Sequence, residues 1–146
     1  MQRVVLGLLL VAAFSFGVLS TYAVMQHAYK LHNTAAVKVV GVGVYKDVSF
    51  TVNVEKIDWG VLEPGESRNV TVYIRNESNV PVSLSMALGD WNPAEASAYI
   101  SLCWNYDGSQ IPVDGWLPIT FTLHVSPETS GLESFSFTIT IVGVGE

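Results

Sequence analysis

Three histidines, one cysteine and one oxygen-rich turn are the residues of this chain whose chemistry invites a functional reading. His27, His32 and His124 are widely separated. The first two lie close behind an apolar leader, and His124 stands among threonines in an alternating run. A general base needs a nucleophile or proton within reach and a third group to orient it, and no spacing here supplies that set. Asp90 and Asp114 sit among turn formers, where a carboxylate is ordinarily solvated. Cys103 lies in the strand-like run Ile100–Trp104 and reads as a small buried hydrophobe, the sharper alternative being an intermolecular disulfide. A lone cysteine offers no zinc-ligand spacing. Asn105, Asp107 and Ser109 alternate, with Asp114 close by. Such oxygens can ligate Ca²⁺, but the EF-hand pattern is missing and a polar β-turn is the simpler reading. The expectation is a non-enzymatic protein without catalytic residues, cofactor or metal.

Two further groups of residues point outward. Trp91 lies in the Gly89–Pro93 loop, Trp116 beside Gly115 and Trp59 beside Gly60. Loop tryptophans either stack on sugars or plug the ends of a β-sandwich. On the first reading Trp91 and Trp116 are candidate glycan-stacking residues. Asn69-Val70-Thr71 and Asn76-Glu77-Ser78 are glycosylation triplets. Asn76, in a turn, is expected to be the better exposed acceptor.

The elements that must carry these residues begin with a leader. Val4 to Met25 is an uncharged apolar run behind Arg3. It reads as a signal peptide cut after Ala23 or Ala28, or as a retained membrane anchor through residues 4–25. Residues 1–25 are therefore assigned to the leader, 26–35 to a linker and 36–146 to one domain. Secretion or display at the cell surface follows as the expectation. The chain has 7 Lys and Arg against 13 Asp and Glu. Every Lys and Arg lies at or before Arg75, and the segment after it is purely acidic. Such a chain repels polyanions, so nucleic-acid binding is not expected.

Past the leader, the period is two. Ala36 to Tyr45 is rich in β-branched residues, and Phe50, Val52 and Val54 alternate with polar residues. Alternation returns in Val70–Ile74, Val80–Leu88, Ile100–Trp104, Ile119–Val125 and Phe135–Ile141. Glu63-Pro64-Gly65-Glu66 and Asp107-Gly108 are turns, the second of hairpin type. Asn92-Pro93-Ala94-Glu95 predicts a short helix capped by Asn92 and ending near Ala98. Seven or eight strands, each with one inward face, predict an all-β antiparallel sandwich of immunoglobulin-like topology.

The stretch Ile57 to Val82 carries the skeleton L-E-P-G-x-S … V-T-V-x-I-x-N-x-x-N-V-P-V. It resembles Ig-like β-sandwich modules of archaeal and bacterial surface proteins. It is also similar to the corresponding strands of TasA-like biofilm fibre subunits and archaeal bundling pilins. The resemblance implies a structural or adhesive surface role, with self-association or a neighbouring surface protein as partner. In the fibre subunits an N-terminal strand completes the sandwich of the next copy. The segment here that would do so carries Ala36, Val37, Val39, Val40, Val42 and Val44. Otherwise it is simply the first strand of its own sandwich. The other reading is a carbohydrate-binding module or a membrane-anchored accessory domain.

Overall fold

The computed structural model describes residues 31–129 and 131–146. The leader, its cleavage points and His27 lie outside them. Among the described residues the regular structure is almost wholly β, in two four-stranded sheets. The strands are β1 (Leu31–Val40), β2 (Val42–Tyr45), β3 (Lys56–Leu62), β4 (Ser67–Asn76), β5 (Val82–Asn92), β6 (Ile100–Trp104), β7 (Trp116–Val125) and β8 (Ser134–Gly145). The first sheet runs β3-β1-β8-β5 and the second β2-β4-β7-β6. Their inner faces close over one core, as a β-sandwich requires. Among the described residues, no helix is long and apolar enough to cross a membrane.

Alternation explains the core. Ile119, Phe121, Leu123 and Val125 on β7 are buried, as are Phe135, Phe137, Ile139 and Ile141 on β8. Each such side chain contributes about 1.5–3 kcal/mol on leaving water. Ala96, Ile111 and Leu132, from the connections between strands, close the ends of the core.

Where sequence and structure part, the reasons are local. Ala36 to Tyr45 is two strands, because Gly41 takes φ +75° and turns the chain from the first sheet into the second. Strand β1 begins at Leu31, so residues 31–35 of the expected linker are paired backbone. Phe50, Val52 and Val54 are not a strand but a loop. Phe50 has φ +56°, which an extended strand forbids. Val52 is exposed and only Val54 reaches the core. The strand there is β3, whose burial alternates through Ile57 and Trp59 before Gly60 interrupts it with φ +72°. The partner register shifts at the same place, between Asn33 and Thr34.

Asp107-Gly108 does not close a hairpin. β6 and β7 pair antiparallel, but residues 105–115 between them reach across to the first sheet. There Ile111 exchanges two backbone hydrogen bonds with Val82, of 2.7 and 3.1 Å. The predicted helix is a 3₁₀ turn, Ala94–Ala98, preceded by a cis Asn92–Pro93 bond and with no side-chain cap.

Arg68 ties the sheets together. From β4 its guanidinium donates to the carbonyl of Trp59 on β3 at 2.6 Å and to Glu66 at 3.0 Å. Gly60 holds φ +72°, a conformation that side-chain-bearing residues rarely adopt, which is why the bulge residue is glycine.

Candidate functional site

Strand β1 occupies a slot. It pairs antiparallel with β3 from Leu31↔Leu62 to Ala36↔Lys56. On its other side it pairs parallel with β8, from His32↔Ser134 to Val40↔Val142. This is the only parallel ladder among the described strands. The side chains that β1 turns inward are small or polar: Asn33 and Ala35 are wholly buried and Val37 is half-buried. The bulk of the core under the slot comes from Trp59, Phe135 and Phe137 on the flanking strands.

The six residues of the expected assembly segment therefore divide. Ala36, Val37, Val39 and Val40 belong to β1, whereas Val42 and Val44 belong to β2 in the opposite sheet. Val39 and Val40 are 41% and 60% exposed, while Val42 and Val44 are buried. Where the two strands part, a groove of about 350 Å³ opens, lined by Val37, Val39, Val42 and Val44 and edged by Glu55 and Glu77. One ion pair ties β1 to the acidic half of the chain: Lys38 to Asp90, 3.8 Å apart and exposed.

The two glycosylation triplets have opposite fates. Asn69 stands exposed on the outer face of β4. Asn76, expected to be exposed, is wholly buried. Its Nδ2 donates to the carbonyls of Val80 at 2.8 Å and Ile111 at 3.0 Å. Its Oδ1 accepts from the Ser78 backbone N–H and hydroxyl. A nitrogen with both protons engaged inside the fold is no acceptor for a sugar. A turn former is ordinarily a surface residue, but this one ends β4 in the inward row of Val72 and Ile74, and the 105–115 loop returns to it through Ile111.

The other candidates are dispersed. Trp91 stacks on the core residue Phe137 at 4.6 Å, in the first sheet. Trp116 is 41% exposed at the start of β7 in the second sheet, so the two do not form one site. Trp59 is wholly buried. Asn105 accepts from the Thr120 backbone N–H, and Asp107 from that of Ser109. The side chain of Asp114 faces Arg75 at 3.6 Å. The oxygens considered for Ca²⁺ thus hold the loop in shape. No group of three His, Cys, Asp or Glu suited to a metal occurs among the described residues. Cys103 is exposed rather than buried, because β6 is an edge strand and Cys103 lies on its outer face.

Two surface arrangements were not legible beforehand. Ser67 and His124 meet across β4 and β7, Oγ to Nδ1, at 2.7 Å. They share the exposed outer face of the second sheet, and His124 also borders a shallow pocket of about 280 Å³ with Ser101 and Ser126. On the same face, Tyr45, Phe50, Tyr73 and Trp116 gather into one aromatic cluster. Register could have indicated part of it, since Tyr45 opposes Tyr73 and Arg75 opposes Trp116.

Tyr45 donates its hydroxyl hydrogen bond to Glu77. That bond, with burial and the carboxylate's charge, holds the phenol above its ordinary range. Because the folded pKa is raised, the contribution to stability is present below the ordinary tyrosine range and is lost as pH rises through the folded value. Glu77→Gln is expected to lower the Tyr45 pKa, seen as earlier tyrosinate absorbance in an alkaline titration. An unchanged titration would contradict the contact.

Compared with known proteins, the chain matches no family model and no curated protein.

Proposed function

We propose that this protein is a structural or adhesive subunit of the cell surface, built on an Ig-like sandwich, that assembles by passing its first strand to a neighbour. The observation that carries the reading is the placement of β1. It enters the first sheet between two other strands, and Gly41 alone separates it from β2 in the second sheet. Its pairing with β8 joins residues about a hundred positions apart, a closure whose entropy cost is set by chain length. A neighbour's copy of the same strand fits the same slot with the same hydrogen bonds, and at high local concentration it competes.

Composition and charge fit this reading. The inward residues of β1 are small enough to enter a slot whose walls are already aromatic. Lys38 would meet Asp90 of the recipient as it meets its own, a weak guide that is sensitive to salt. Transfer repeated head to tail gives an open filament if the rotation does not close. The leader, residues 4–25, would take the chain across a membrane or hold it there, with the sandwich outside. Asn69 is the acceptor that surface glycosylation would use.

Sedimentation of the full chain over a hundredfold concentration range tests this. Exchange predicts a series of growing species that persist on slow dilution. A single monomeric species throughout would remove the fibre reading.

A further inference from the structure

The aromatic cluster on the second sheet's outer face has no part in strand exchange. Trp116 lies 5.9 Å from Phe50 and 5.8 Å from Tyr73, ring centre to ring centre. Tyr45 lies 5.3 Å from Phe50. Successive rings meet at 64–69°, so the cluster is a corrugated cradle and not a flat table. It is also built at some cost. Phe50 holds φ +56°, a region that bulky residues rarely enter and that tends to persist at functional positions. Gly43 is bare, and a Cβ there would run into the Tyr45 ring and the Glu77 carboxylate.

Arg75, Asp114 and Glu77 at the cradle each have a partner. The Arg75 guanidinium lies 5.1 Å from the Phe50 ring centre and 3.6 Å from Asp114. Glu77 accepts from Tyr45. Beyond Tyr73 and Pro118 the face continues into the uncharged pair Thr71 and Thr120, hydrogen-bonded at 2.9 Å. Rings for stacking, with carboxylates and hydroxyls beside them for hydrogen bonding and the Arg75 guanidinium already facing Asp114, are the complement of an uncharged polyhydroxylated ligand. A polyanion would meet Asp114, Glu77 and a chain of formal charge −6.

We propose that Tyr45, Phe50, Tyr73 and Trp116 form a binding site for a neutral glycan. The site is independent of β1, so the two readings stand or fall on different measurements. The test is native electrophoresis of the full chain through gels containing hydroxyethylcellulose, mannan or dextran, with alginate as the anionic control. Retardation is expected in at least one neutral gel and not in alginate. Trp116→Ala and Phe50→Gly should weaken it roughly tenfold, the scale of one lost aromatic contact. Glycine accepts φ +56° without strain, so Phe50→Gly removes the ring and keeps the loop; exposed Trp116 gives a second variant that spares the core. Passage through all three neutral gels unretarded would overturn the proposal. So would retardation that both variants retain, or a change in self-association in place of glycan retention.

Discussion

Deletion of residues 1–40 is expected to abolish the cooperative thermal transition, and a peptide of residues 31–40 is expected to restore it. The deletion removes a strand hydrogen-bonded on both sides and opens the floor formed by Trp59, Phe135 and Phe137. Uncovering several side chains worth about 1.5–3 kcal/mol each takes up most of a net stability of about 5–15 kcal/mol. The cut falls at residue 40 because β2 belongs to the other sheet and should stay. Rescue matters as much as loss. A strand that is merely essential would leave a chain no peptide can repair, whereas a slot refills and the transition returns with peptide concentration. A truncated chain that melts like the full one would show that β1 does not hold the first sheet together.

Asn76→Ala is expected to destabilise the fold by about 2–4 kcal/mol in equilibrium denaturation, a loss of four hydrogen bonds in a buried place. Asn76→Asp should do no better, since a carboxylate would face two carbonyl oxygens where an amide now donates. The effect should fall on the 105–115 loop, which Asn76 anchors through Ile111. A change below about 1 kcal/mol would mean that the buried network contributes little. Peptide mass mapping of protein from its own cells should find residue 76 unmodified whatever is attached at Asn69.

The sandwich was legible because alternation is a direct consequence of strand geometry. Val72 and Ile74, Ile119 to Val125 and Phe135 to Ile141 each send every second side chain inward. What alternation cannot convey is which sheet a strand joins. The break at Gly41 looked like one glycine among the valines of a single strand. Its φ of +75° is a tertiary fact, set by the need to cross from one sheet to the other. Phe50, Val52 and Val54 show the reverse failure, an alternating run that forms no named strand and makes only an isolated bridge, Tyr45 to Asn53. Gly60 hid β3 by interrupting its pattern with a bulge.

The candidate site was less legible for the same reason. Asn76 and Ile111 are turn and loop residues until the 105–115 connection folds over the sheets. Residue type alone pairs Trp91 with Trp116, which lie in two different sheets. The cluster that exists is set by register and by the return of the 46–55 loop, and Tyr45, Phe50 and Tyr73 carry no signal at all without those contacts. Cys103 lies on the outer face because it alternates with the core-facing Ile100, Leu102 and Trp104, and at an edge strand that face is open.

The central claim is that β1 leaves its own sandwich for another. Ala36 and Thr138 are partners across the parallel β1–β8 ladder, and neighbouring strands lie about 4.8 Å apart, within disulfide reach. In full-length Ala36→Cys/Thr138→Cys, with Cys103→Ser to remove the exposed thiol, oxidation fixes β1 to whichever β8 it lies against. Exchange predicts a ladder of covalently linked chains on a denaturing, non-reducing gel, collapsing to one band on reduction. A single band at the mass of one chain, with the thiols consumed, would show that every copy keeps its own strand.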